Sequence, residues 1–268
     1  MSQFDLTIFT VATNKYFQYF ELQLEQFAKY LTPHQTVQVI VATNVRAPST
    51  QNFGDLSVTL IEIPNYSWPE ITLLRYHQII QAQDLIRGSM LMWLDTDMEI
   101  LGDVKVADLV TDDKVYFAPH PGFIFDWGKF KKLKLTQKLK SLRPWVISAL
   151  KCQKGAGTWE ENSKSKAFVR SSKRKKYVHG AVWVGTKEAV LKMCSDLSRN
   201  IDEDLAEGLI AVWHDESHLN AYCSNVPGAK FLPVHFSAWE QAWQFDRNQS
   251  YVISLDKNAL DAKLRVQI

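Results

Sequence analysis

Two groups of residues in this 268-residue chain have types and spacings that can do chemistry. The first is Asp95-Thr96-Asp97, which ends the apolar run Met90-Leu91-Met92-Trp93-Leu94. In an extended chain residues at i and i+2 face one side. Two carboxylates so placed suit a hard divalent cation, Mg²⁺ or Mn²⁺, which in turn binds phosphate oxygens. The same tripeptide reads equally as a solvated turn. The second group is His214-Asp215-Glu216-Ser217-His218. On a helix, His214 and His218 share a face at zinc-ligand spacing, but the zinc-protease pattern wants Glu where Asp215 stands. The five residues also read as a helix whose acids and histidines bond one another. Alternatively, Glu216 stabilises or attacks an oxocarbenium-like carbon while Asp215 and the histidines orient hydroxyl groups. A metal-held diphosphate leaving group supplies the other half, so the two groups together point to a nucleotide-sugar transferase.

Two smaller features stand beside these. The small residues of His179-Gly180-Ala181 allow close approach of a ligand to the backbone, or tight packing within a sheet. Arg75 sits among apolar neighbours in a helical stretch, where it binds an anion or pairs with an acid.

The surrounding pattern supplies the elements that position them. Residues 4–13, 37–42, 56–63 and 89–94 read as strands, and 177–184 as another strand-like run. Apolar spacing predicts helices over 16–30 and, opened by Pro69-Glu70 and stopped by Arg87-Gly88, over 69–86. Residues 129–140 read as a short cationic helix and 201–222 as helical. Alternating strands and helices argue for an α/β fold with a largely parallel sheet. Ligands of such sheets bind beyond the carboxyl ends of the strands, where Asp95 and Asp97 fall.

Composition narrows the class. A hydrophobic fraction of 46% supports a packed core. No apolar run approaches a membrane span and no signal peptide is visible, so a cytoplasmic protein is expected, soluble or peripherally membrane-associated. Cys152, Cys194 and Cys223 lack metal-finger spacing and read as reduced thiols. The net charge of +2 conceals an asymmetry: residues 129–176 hold 16 of the 31 Lys and Arg and two of the 29 acids. That +14 segment calls for an anionic partner, such as an anionic membrane or a lipid-linked glycan, or is a solvated lysine-rich loop. A nucleic-acid-binding module would leave both carboxylate groups unexplained, and no nucleic-acid partner is expected.

The run Ala211-Val212-Trp213-His214-Asp215-Glu216-Ser217-His218-Leu219-Asn220, with Leu94-Asp95-Thr96-Asp97-Met98-Glu99, resembles glycosyltransferase family six. That family includes the histo-blood-group A and B transferases and the α-1,3-galactosyltransferases. The similarity runs from Thr7 to Arg265, with gaps. It implies a GT-A fold, Rossmann-like, in one catalytic domain over residues 1–268. The nucleotide-binding half is residues 1–100 and the acceptor-binding half 101–268, including a tail at 256–268. It implies retaining α-1,3 transfer of galactose or N-acetylgalactosamine from a UDP-sugar to a glycan acceptor.

By the same resemblance Asp95, Thr96 and Asp97 belong to the donor diphosphate site, with Mn²⁺ (or Mg²⁺) on the two aspartates, and Glu216 is the catalytic carboxylate. Asp215 and Arg75 meet the donor sugar. Phe9, Val11 and Tyr16 form a uridine wall, in a loop lengthened by Ala12-Thr13-Asn14. His120, Trp213 and His214 lie on the acceptor side. His179-Gly180-Ala181 matches the triplet that chooses the sugar; it mixes types and leans to galactose. Lys257, Lys263 and Arg265 match a basic tail that closes over UDP. Residues 126–157 look inserted relative to the mammalian domains. Asp-x-Asp is kept where many bacterial relatives carry Asn-x-Asn. The lack of an anchor and stem suits a bacterial or phage enzyme. A catalytically weak relative that binds UDP-sugar without transfer is the alternative within this resemblance.

Overall fold

The computed structural model describes residues 3–45, 50–53, 56–124, 131, 134–136, 155–239 and 247–255. Its centre is a mostly parallel sheet of eight strands. β1 (Phe4–Val11), β2 (Val37–Thr43), β4 (Leu56–Glu62) and β5 (Gly88–Leu94) run parallel in the order β4-β2-β1-β5. A short β3 (Thr50–Phe53) pairs antiparallel on the outer edge of β4. Beyond β5 the order continues through β8 (Val178–Thr186), β7 (Val115–Pro119) and β9 (Lys230–Phe231), with β8 antiparallel to both neighbours. The 177–184 run is thus a reversed strand, and its first residues meet the carboxyl end of β5.

Strand alternation sorts the core onto two faces. Leu6, Ile8, Val39 and Val41 pack against Phe20, Leu24 and Phe27 of α1 (Tyr16–Tyr30). Phe9, Ile40, Leu91 and Trp93 face the other way, against α3 (Arg75–Gln81) and α4 (Lys187–Ala206). Burial on both sides explains why β2 is apolar almost throughout. Gly88 belongs to β5 rather than to a helix stop. A Cβ there would lie 2.4 Å from the backbone nitrogen of Thr7, so only glycine fits.

Two long helical expectations are corrected. The 69–86 stretch is broken into α2 (Glu70–Leu73), α3 and a 3₁₀ turn at Gln83–Leu85. The interruption at Leu74 restarts the helix at Arg75, whose side chain is buried. The 201–222 stretch is two helices, α4 and α5 (His214–Asn225). Gly208 stops α4 at φ +69°, with its N–H on Leu205 O and the Leu209 N–H on Asp204 O. That pair of bonds is a Schellman cap, a strong stop for a helix. Most of the 129–140 stretch and of the 126–157 insertion lies outside the described residues, as does Cys152. Cys194 and Cys223 are buried free thiols.

A second sheet joins β6 (Met98–Ile100), β11 (Val252–Ser254) and β10 (Ala238–Trp239). It ties the chain just after Asp97 to the chain near its end, through the Leu255 N–H on Asp97 O at 3.0 Å. Among the described residues no helix is long and apolar enough to cross a membrane.

Candidate active site

The carboxyl ends of β1 and β5, the start of β8 and the start of α5 meet at one edge of the sheet. Asp95 leaves β5 in a turn closed by the Met98 N–H on Asp95 O. Asp95 and Asp97 therefore lie in a turn rather than in extended chain, which corrects the geometry expected for the pair. Gln23 holds the turn from α1, its Nε2 donating to Asp95 O at 2.8 Å and Met98 O at 2.7 Å.

Arg75 is the hub of the floor. Its Nη1 lies 3.4 Å from Asp95 Oδ1 and donates to Gly180 O at 3.1 Å. Its Nε lies 3.1 Å from Asp215 Oδ2, an ion pair without hydrogen-bond geometry. The guanidinium sits 4.6 Å over the Trp93 ring, and Trp93 in turn stacks on Trp183 and Phe9. Burial opposes the Arg75 charge, but Asp215 and Asp95 outweigh it and hold its pKa above the ordinary value.

Glu216 follows on the first turn of α5. The Gly180 N–H donates to its Oε2 at 2.8 Å. Asn220, one turn on, locks helix to strand: its Oδ1 accepts from Val178 N and its Nδ2 donates to Val178 O and Glu216 O. Burial pushes the Glu216 carboxyl up to about 7, against the lowering effect of the Gly180 N–H. Burial likewise raises Asp215 to about 6, against Arg75. A pocket of about 430 Å³ covers these groups, walled by His120, His179, Trp213, His214, Thr158 and Trp239. A larger cleft, of about 870 Å³, lies between α1 and β6, where Arg247 grips both oxygens of Glu99 at 2.8 and 2.9 Å. The smaller pocket gathers the buried Asp215 and the half-buried Glu216, both with raised pKa values, which makes it the candidate chemical site.

Of the residues singled out in the sequence, Arg75, Asp95, His120, His179, Gly180, Ala181, Trp213, His214, Asp215 and Glu216 all line this pocket. Thr96 is buried and Asp97 half-buried beside it. Val11 and Tyr16 are half-buried at the end of β1 and the start of α1. Phe9 departs from its expected place: its side chain is fully buried and stacked on Trp93, so it supports the floor rather than forming a wall. The two histidines of the 214–218 group do not converge as a zinc pair. His214 turns out at φ +45° against exposed Trp68, whereas His218 is buried with Nε2 3.6 Å from Asp204 Oδ2. Lys257, Lys263 and Arg265 lie outside the described residues. Phe123, Thr158 and Trp239 are wall residues that sequence reasoning missed.

Asp95 and Asp97 offer oxygen ligands only, the donor type that Mg²⁺ and Mn²⁺ prefer. Trp93 Nε1 occupies Asp95 Oδ1 at 2.7 Å, and Arg75 lies on that same oxygen. Oδ2 of Asp95 lies outside these contacts, so on Asp95 a hard cation would meet that oxygen.

Comparison with known proteins agrees with the geometry. The model of glycosyltransferase family 6 matches residues 123–255. Over 262 residues the chain is 24% identical to histo-blood group ABO system transferase 2 of Rattus norvegicus and 22% to transferase 1 of the same organism. These alignments cover 94% of this chain and 69% and 66% of the two relatives. Alpha-1,3-galactosyltransferase 2 of Homo sapiens is 35% identical over 78 residues, 29% of this chain and 23% of that protein. The family match contains Glu216 and the pocket walls from Phe123 onward, and with the GT-A-like sheet behind them this chain belongs to glycosyltransferase family 6.

Proposed function

We propose that the chain is a retaining, metal-dependent transferase. It moves galactose, or N-acetylgalactosamine, from a UDP-sugar to the 3-hydroxyl of a galactoside-type acceptor in α-1,3 linkage. The observation that carries this reading is Glu216, a half-buried carboxylate aimed by Gly180 N–H into a pocket whose floor joins Asp95 and Asp215 through one arginine. Asp95 and Asp97 would hold a divalent cation, which would offset charge on the departing diphosphate. Arg75 and Asp215 fix the donor sugar. Glu216, ionised, stabilises or attacks the anomeric carbon while the acceptor hydroxyl approaches past His120, Trp213 and His214. Val11 and Tyr16 flank the uridine, with the backbone of Phe9, and Lys257, Lys263 and Arg265 supply charge for UDP.

The +14 segment at 129–176 gives the acceptor a reason to be lipid-linked, because Lys and Arg gather at anionic membrane surfaces. The test is a transfer assay of UDP-galactose against UDP-N-acetylgalactosamine, with fucosylated and plain galactosides as acceptors. Transfer to a galactoside 3-hydroxyl is expected, with galactose favoured. UDP binding without transfer to any of them overturns the assignment.

A further inference from the structure

We propose that Ser237 is a positioning residue that fixes His179 as its Nε2–H tautomer, so that the pocket presents imidazole N–H donors to sugar oxygens. The argument is one of hydrogen-bond accounting. Ser237 is 1% exposed, and its Oγ lies 2.9 Å from His179 Nδ1. Among the described residues no other partner is shown for that hydroxyl. If Oγ accepted from an Nδ1–H, its own proton would be buried without an acceptor, which is costly. Oγ–H therefore donates to Nδ1, and the ring proton of the neutral imidazole sits on Nε2.

His120 reaches the same state by another route. Its Nδ1 accepts from Gly122 N–H at 3.0 Å, which leaves the proton on Nε2. The rings stand edge to face with centroids 4.9 Å apart. Burial keeps both neutral, with help from Arg75 at His179 and from His179 at His120.

The consequence is a choice of ligand class. Ring nitrogens of His120 and His179 and an oxygen of Glu216 lie within 4.8 Å of one another. Two imidazoles and a carboxylate are also a zinc donor set, but a metal needs a lone pair at each nitrogen, and Nε2–H offers none. A hydroxyl fits: its oxygen accepts from an imidazole N–H while its hydrogen goes to the carboxylate. The carbonyl of an N-acetyl group fits the N–H donors alone. Ser237 thereby becomes a determinant of donor choice. That last step rests on the transferase reading; the tautomer does not.

Long-range ¹H–¹⁵N correlation spectra of the full chain near pH 7 test it, with His179→Gln and His120→Gln assigning the signals. Both rings are expected as Nε2–H tautomers. Ser237→Ala is expected to release His179 into a tautomer mixture and to change the ratio of kcat/KM for the two UDP-sugars about three- to ten-fold, the worth of one hydrogen bond. Ser237→Thr, which keeps the hydroxyl, should restore both. An Nδ1–H signal for His179 in the wild type overturns the proposal. So does a 1:1 Zn²⁺ complex by calorimetry that His179→Gln abolishes, or an unchanged donor ratio in Ser237→Ala. If the wild type uses neither sugar while the tautomers stand as stated, the transferase reading fails and the tautomer assignment holds.

Discussion

The Nε of Arg75 lies 3.1 Å from Oδ2 of Asp215, and the same guanidinium lies 3.4 Å from Asp95. One buried cation thus joins the end of β5 to the start of α5, two elements 120 residues apart in the chain. Its removal strands two carboxylates. Arg75→Met should cost about 3–5 kcal/mol of stability, the usual result of breaking a buried pair from one side. Arg75→Lys keeps the charge but not the planar fork that reaches Asp95, Asp215 and Gly180 O together. Urea unfolding should place it between the wild type and Arg75→Met.

Glu216→Gln should lower transfer by more than about 100-fold, because a neutral amide cannot stabilise developing positive charge. UDP affinity, measured by calorimetry, should be unchanged. Wild-type-like turnover in this variant would remove Glu216 from the chemistry.

Two pH effects follow from the raised Glu216 carboxyl. In the proposed mechanism the ionised form does the work, so kcat should fall about tenfold per pH unit below about 7. Stability moves in the opposite sense. The folded state holds the Glu216 proton until about 7, against 4.5 for the ordinary group. The contribution is fully present below about 4.5 and gone once pH rises through about 7. Replacing the charge by an amide should therefore make Glu216→Gln more stable than the wild type at pH 8, by roughly 2 kcal/mol, and little different at pH 4.5. Urea midpoints at the two pH values check the sign.

Gly180→Ala tests how closely the strand and α5 approach. A Cβ there would meet Glu216 Oε2 at 3.3 Å and Asp215 Oδ2 at 3.5 Å. These contacts require a shift of a few tenths of an ångström, not a refolding. The variant should keep its melting temperature within a few degrees and lose about tenfold in kcat through misplacement of the carboxylate.

Chelation tests the Asp95–Asp97 pair. Excess EDTA should stop transfer and Mn²⁺ should restore it, with Asp97→Asn needing more Mn²⁺ than the wild type. Full activity in EDTA would separate this chain from the metal-dependent mode.

The local signals were legible where the physics is local. Apolar periodicity placed β1, β2, β5 and α1 to within two residues, because each buries a face set by its own spacing. The Asp95 and Glu216 groups stood out because carboxylates at strand ends and helix starts are seldom there for packing. The Gly208 stop was also written in the chain, as a glycine just past a helical run, yet the helical spacing on either side hid it. Other features were not local at all. That β8 runs antiparallel beside β5 decides that His179 and Gly180 face Glu216, and strand direction is set by partners far along the chain. Phe9 lies inside because Trp93 stacks on it from β5. Ser237 carries no motif, and only the second sheet brings its hydroxyl to His179. Sequence alone determined which groups could do chemistry, since residue type and spacing fix what a side chain can donate, accept or ligate. Tertiary structure decided their pairing and charge state, since burial and opposing charges depend on which distant segments the fold packs together.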